Sequence, residues 1–329
     1  MGHSTGRGAE LLRFTVRKLI QFIVVLWIVS LLIFILVRVS GTDPVAIILG
    51  GKQTSPEAIA NLRTKFNLDQ PLLVQYGMWI GGILRGDFGL DFRYQQPVMD
   101  LIAARLPVTL WLVLMSSVIA LVVAIPLGVL SAHKKNTWVD SAAQMVSLLS
   151  VSCPSFFISI LTVALISRVA PQIQFTGGFS TFSEMLGRLV LPAICLALSM
   201  IALASRIIRT GMIEQGQSGY VQTAKANGLS NRRILWKHTF KNAVIPLITV
   251  VSIQVGSMLV GAVMVEEIFS LAGVGGLLIS AIQGSNYPVV QGITILMVFI
   301  FLLITTVVDI LYAVIDPRIR TGVGGDRDE

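Results

Sequence analysis

The side chains able to do acid–base, nucleophilic or metal chemistry are few and scattered. His3, His133 and His238 lie more than a hundred positions from one another, near or outside the ends of apolar runs. No HExxH, no cysteine pair at zinc-ligand spacing and no GxSxG elbow occurs. Cys153 and Cys195 sit in separate apolar runs and read as small buried hydrophobes, not as a disulfide framework. Gly50-Gly51-Lys52-Gln53-Thr54 superficially matches a phosphate loop, but Ala46 and Gln53 stand where glycine and a hydroxyl residue are required. Asp309 is the one ionisable residue inside an otherwise continuous apolar run. At the bilayer centre it would cost about 2.5–3.5 kcal/mol. It lies about a turn from the end of its run, and a proton relay needs several such groups, so a structural ion pair is expected, with Arg206 or Arg209 as partner. Glu266 and Glu267 read as interfacial acids that end a span. The residues therefore point away from catalysis and away from a cofactor bound by this chain.

The elements that position these side chains belong to a membrane. Of 329 residues 54% are hydrophobic and 13% charged, and mean hydropathy is +0.80, where a soluble domain is roughly a quarter charged. A net charge of +8 raises the question of nucleic acid. The basic residues, however, flank apolar runs, which fits membrane orientation and no nucleic-acid partner. Six spans are expected: 19–37, 106–132 with Pro126 near one end, the charge-free interval between Asp140 and Arg168 with a kink at Pro154, 189–205, 243–265 and 289–312. Each approaches the ~20 residues that ~30 Å of hydrocarbon demands. The basic N-terminus admits a cleaved signal peptide; the length of 19–37 and the lack of a small-x-small site favour a retained first span. Segments 1–18, 133–141, 205–242 and 313–329 hold 4, 2, 7 and 3 Lys and Arg, against 7, 2 and 0 in 38–106, 168–188 and 267–288. The positive-inside rule then places both termini in the cytoplasm.

The segment 38–105 reads as an extracytoplasmic helical cap. Ser55-Pro56-Glu57 starts a helix that ends near Phe66, a second covers 71–84, GDFG at 86–89 turns the chain, and a short helix at 97–104 leads into the second span. The cap either meets a delivery protein or shields span ends. Between Glu267 and Asp309 no charge occurs, and Gly273, Gly275 and Gly276 followed by Asn286-Tyr287-Pro288 divide the run into a flat outer helix at 276–283 and the sixth span. In the fifth span Gln254, Ser257 and Gly261 form a small, polar stripe, with Ser252 and Gly256 beside it. Such a stripe serves close helix packing or lines a path.

The best-patterned polar stretch is 220–246, YVQTAKANGLSNRRILWKHTFKNAVIP. Tyr220, Val221 and Ala224 recur at helical spacing, Gly228 supplies a left-handed stop, and Ser230 can cap a second helix over 231–242, with a new span restarting at Pro246. The stretch resembles the coupling loop of integral-membrane permeases of bacterial ABC importers, with Gln222-Thr223-Ala224-x-x-x-Gly228 where that family carries Glu-Ala-Ala-x-x-x-Gly. Gln222 and Thr223 depart from the family residues. LPVTL at 106–110, VEEIFSLAGVG at 265–275, YPVVQG at 287–292 and DPRIR at 316–320 are similar to its peptide and nickel branch, and the resemblance covers nearly the whole chain.

The resemblance implies an all-α polytopic permease of the type I importer class: a cytoplasmic N-terminus (1–18), a first transmembrane helix (19–37), the cap (38–105), a five-helix core (106–315) with a cytoplasmic loop at 206–242, and a tail (316–329). It implies a bacterial inner-membrane location, a second homologous permease subunit, one or two ATPase subunits that bind ATP and Mg, an extracytoplasmic substrate-binding protein and surrounding lipid. Cargo would be dipeptides or oligopeptides, with nickel or metal chelates as the alternative. Coupling would fall to Tyr220, Gln222, Thr223, Ala224, Gly228, Leu229, Arg232, Arg233, Trp236 and His238, and the path to Ser252, Gln254, Ser257 and Gly261. Solvation at the lipid surface accounts equally well for some of the basic residues. A self-sufficient proton-coupled carrier is disfavoured by the lack of several intramembrane acids.

Overall fold

A single segment crosses hydrocarbon as a helix, because every backbone N–H and C=O must then be satisfied within it. The computed structural model describes residues 3–39, 44–49, 55–170 and 180–315, and these are almost entirely helical. The stretches 50–54 and 316–329 lie outside the described residues.

In chain order, α1 (His3–Val39) runs unbroken through the expected boundary at 18/19, followed by the short α2 (Pro44–Leu49). α3 (Pro56–Lys65) begins where the side chain of Ser55 accepts the N–H of Ala58, and α4 (Leu72–Ile83) follows. α5 (Val98–His133) is continuous, so the short helix expected at 97–104 and the second span are one helix, and Pro107 lies inside it. A proline there costs about 3 kcal/mol. Packing on both sides of it outweighs that cost: Val98 and Ile102 sit in a cluster with Val274, Val289 and Ile293, and Val108 and Leu112 sit in the main core.

The expected third span is two helices, α6 (Trp138–Ser152) and α7 (Ser155–Val169), bent by 99°. This is a break, not a kink. Pro154 excludes a helical conformation at the residue before it, and Cys153 is extended (φ −100°, ψ 118°). α8 (Phe182–Gly216) reaches well past 189–205 at both ends. At 35 and 36 residues, α8 and α5 are each over ~50 Å long, more than the ~30 Å hydrocarbon core.

The loop after α8 holds α9 (Gly219–Ala226), the single turn α10 (Asn231–Arg233), a π-helical stretch Ile234–Phe240 and the single turn α11 (Lys241–Ala243). The chain closes with α12 (Ile245–Ile268), α13 (Val274–Gln283) and α14 (Tyr287–Ile315). Among the described residues five helices qualify as spans by length and composition, six if the bent pair counts as one.

α5 and α8 form the enclosed centre, with α12 packed against both. Small residues let the backbones meet. A side chain on Gly128 of α5 would collide with Ile208 and the carbonyl of Ser205 on α8, and one on Gly256 of α12 would enter the Phe301 ring of α14. α1 lies outermost against α14, where Phe22 meets Phe299 edge to face at 5.6 Å. Large apolar side chains such as Leu36, Leu165 and Val260 remain exposed around the bundle, as a lipid-facing shell requires.

Candidate functional site

The loop 219–243 folds around a small core of its own and packs onto α8 and α12. α9 ends in a Schellman arrangement: the N–H of Leu229 bonds the carbonyl of Ala224 at 3.2 Å, and that of Gly228 bonds Lys225 at 3.0 Å. Gly228 has φ +74°, which a glycine adopts without steric cost. Leu229 then folds back onto Val221, Ala224 and Ile234, which are 1, 6 and 5% exposed. Three buried side chains and one half-buried one give the loop its own core.

The second half of the loop departs from the expected ordinary helix. Ser230 has cap-like backbone angles, but its hydroxyl makes no capping bond. Ile234–Phe240 is π-helical. Its buried positions, Ile234 and Thr239, are five residues apart, and a wider turn brings them to one face. Leu235 and Phe240 pack instead against Ile208, Met212 and Leu247, which joins the loop to α8 and α12. Tyr220 ties the two halves: its hydroxyl donates to Oε1 of Gln215 at 2.5 Å and accepts from Nδ2 of Asn242 at 2.9 Å. Asn242 also donates to the His238 carbonyl at 3.0 Å. Only the backbone carbonyl of His238 enters this network.

The exposed surface of the loop is formed by Gln222, Thr223, Lys225, Gly228, Arg232 and Arg233. Tyr220 and Trp236 remain 42 and 49% exposed, and Trp236 stacks edge-on with Phe240 at 5.1 Å. Beside it a groove of about 590 Å³ runs between the end of α5 and the loop, lined by His133, Lys135, Lys225 and Arg232 among others.

A cluster that sequence reasoning missed fixes the base of the loop. Asp140 on α6, 2% exposed, receives a forked pair of bonds from Arg209 of α8, Nε to Oδ1 at 2.6 Å and Nη2 to Oδ2 at 2.7 Å. Ser131 of α5 donates to Oδ1 at 2.5 Å, the N–H of Asn136 to Oδ2 at 3.0 Å, and Gln144 to Oδ1 at 3.1 Å. One carboxylate thus ties α5, α6 and α8 at the loop end. Arg209 is therefore not the partner of Asp309. That partner is Lys18 of α1, at 2.7 Å with both side chains about a third exposed. Nothing local could reveal either pair, since 69 and 291 residues separate the partners.

The α12 residues divide. Ser252 is buried and bonds the carbonyl of Thr249, Gln254 is half-buried, and Gly261 faces Leu196. Ser257 is exposed and its hydroxyl bonds its own helix at Ile253. At the other end of α12, Glu266 is fully buried, not interfacial. Its Oε2 accepts the N–H of Gly275 at 2.7 Å, and side chains on Gly273 or Gly275 would strike its carboxylate. The local signal was the run of glycines that makes room for it.

Comparison with known proteins fits this architecture. The family model described as "Binding-protein-dependent transport system inner membrane component" matches residues 124–321, and the model for the N-terminal part of such components matches 11–113. A protein of Brucella abortus (strain 2308) named for a peptide transport system permease is 38% identical over 307 residues, 92% of this chain and 98% of that one. The dipeptide transport system permease protein DppB of Alkalihalophilus pseudofirmus is 32% identical, over 94% of this chain and 100% of its own. The nickel import system permease protein NikB of Staphylococcus aureus (strain N315) is also 32% identical, over 95% and 93%. In the MetNI methionine ABC transporter, solved in inward-facing conformations, one chain shares the fold with a TM-score of 0.54 at 17% identity, over 66% of this chain and 97% of that one. With spans, loop and family models in register, the chain belongs to the inner-membrane component family of binding-protein-dependent transport systems.

Proposed function

We propose that this chain is a permease subunit of an ATP-driven importer of dipeptides or oligopeptides, and that the loop 219–243 is the element on which partner ATPase subunits act. The observation that carries the reading is the loop itself, with its own core, with hydrogen bonds from Tyr220 to Gln215 of α8 and Asn242, and with Leu235 and Phe240 packed onto α8 and α12. Closure of two nucleotide-binding subunits would displace the loop as a lever and rock the spans between inward- and outward-open packings. Docking must differ between ATPase states, because a partner shifts an equilibrium only by its differential affinity. Leu229 and Trp236 supply apolar contact; Arg232 and Arg233 supply charge. A second permease subunit and an extracytoplasmic binding protein complete the assembly, with the loop and both termini cytoplasmic by the distribution of Lys and Arg. Ser257 and the adjoining face of α12 would line the path at the permease interface, while Ser252 and Gly256 pack.

Ala224→Asp tests the lever. A charge in the loop core should abolish ATP-coupled uptake while the protein stays in the membrane at normal abundance; normal uptake would sink the assignment. The nickel relative supports nickel or a metal chelate as the second reading. ATPase stimulation of the reconstituted complex by binding proteins loaded with peptide or with nickel separates the two.

A further inference from the structure

The helix α4 is built inside out for water. No charged residue occurs from 70 to 84, and within the helix, LLVQYGMWIGGI, only Gln75 and Tyr76 carry a strongly polar group. Both turn toward the protein. Gln75 is 8% exposed; its Oε1 accepts from Nε and Nη2 of Arg38 at 3.1 and 2.6 Å, and its Nε2 donates to the Gln70 carbonyl at 2.8 Å. The Tyr76 hydroxyl lies 2.8 Å from that of Ser30. The large apolar side chains turn the other way. Leu72, Leu73, Val74 and Met78 are exposed at 61, 83, 44 and 47%, and Leu84 just after the helix at 82%. The preceding α3 has the ordinary arrangement, with Glu57, Asn61 and Thr64 exposed and Ile59 and Leu62 half-buried. Hiding an amide while exposing leucines forfeits hydrophobic free energy in water, and forfeits none against acyl chains.

The seat of α4 identifies what covers that outward face. It packs along the half of α1 that lies away from the Lys18 end. Phe34 meets the Tyr76 and Trp79 rings at 5.3 and 5.9 Å, Arg38 meets Gln75, and the buried Ser30 meets Tyr76. Ser30 sits inside the spanning stretch Leu11–Val39, about 12 Å along the helix from Arg38. The same stretch of α1 exposes Leu32, Ile35 and Leu36 to the lipid shell. At about 18 Å, α4 is too short to cross the hydrocarbon, so it occupies one leaflet. Asp69 and Arg85 restore charge at its two ends, and Tyr76 and Trp79 suit the boundary between acyl chains and headgroups. We propose that α4 is seated in the leaflet opposite the 219–243 loop, with Leu72, Leu73 and Met78 against acyl chains. The segment between the first two spans is then anchored in the bilayer through α4 and offers water the face of α3.

Photocrosslinking of the full-length chain in vesicles of phosphatidylethanolamine and phosphatidylglycerol tests this. A p-benzoyl-phenylalanine placed at Leu73 should give phospholipid adducts by intact mass, at a yield matching the same residue placed at Leu36 of α1. At Asn61 of α3 it should give none above background. Leu72, on the neighbouring side of α4, should repeat the result for Leu73, so that the outcome does not hang on one substitution. A yield at both α4 positions no higher than at Asn61 would place the helix in water and overturn the proposal. Crosslinks from Leu73 to a second copy of the chain in place of lipid would make the face a protein interface and overturn it as well.

Discussion

The two ends of the bundle bury a carboxylate in opposite ways. At the loop end, Asp140 meets a guanidinium, a hydroxyl and an amide from three helices, and a backbone N–H from the turn between α5 and α6. At the far end, Glu266 is more deeply buried and meets no cation among the described residues; Oε2 takes one backbone N–H and Oε1 has no partner. The first arrangement ties elements distant in sequence into one body, which a lever needs. The second pins the start of α13 to the end of α12, where Thr109 of α5 also takes the N–H of Val274, and it uses no cation. Charge pairing serves at one end, and a glycine cage at the other.

Asp140→Ala is expected to have the largest effect. It leaves Arg209 unpaired and the other donors unsatisfied, and should cost about 3 kcal/mol, read as thermal or denaturant unfolding of the purified protein. Protease sensitivity should rise first near 134–140. Asp140→Asn, which keeps an acceptor but not the charge, should fall between variant and wild type. Glu266→Ala removes one accepted bond and opens a small void, and should cost about 2 kcal/mol. Glu266→Gln, which keeps an acceptor for Gly275 and loses no ion pair, should cost less than about 1 kcal/mol. Should the two amide variants be equally destabilised, the contrast between the ends is wrong.

Gly228→Ala comes next and isolates backbone geometry. No atom lies within 4 Å of where its Cβ would sit, so the effect comes from φ alone, about 1–2 kcal/mol for an alanine in the left-handed region. Gly228→Asn should cost less, because asparagine tolerates that region. Helicity of the loop after limited proteolysis, or amide exchange at 224–229, reads this directly. Equal effects of Ala and Asn would point to a steric cause and against the Schellman account.

What the chain discloses before folding is its local physics. The apolar runs, the cap at Ser55, the stop at Gly228 and a short helix ahead of the sixth span all follow from neighbours in sequence, although that helix starts at Val274 and takes in Gly275 and Gly276. The continuity of α5 through Pro107 does not, because packing against α13 and α14 decides it. Pro154 was visible, but only the structure shows a 99° break in place of a kink. The loop's basic residues were legible as a surface. The Asp140 cluster beneath them was not, since Asp140 looked like the mere edge of a charge-free interval and its partner lies two helices away.

Lys18 and Asp309 offer the smallest effect and the sharpest control on the comparison. This pair also joins distant elements, α1 and α14, at the loop end, and its 2.7 Å separation matches the Arg209 contacts. Geometry alone would rank it with Asp140. Exposure argues otherwise: both side chains are about a third accessible, against 2% for Asp140. A single contact to a flexible ammonium lacks the fork and the extra donors. Asp309→Asn should therefore cost only about 0.5–1 kcal/mol, and raised salt should shrink the difference further. A loss equal to that of Asp140→Ala would show that joining helices, not burial and multiple bonding, sets the strength of a tie at this end.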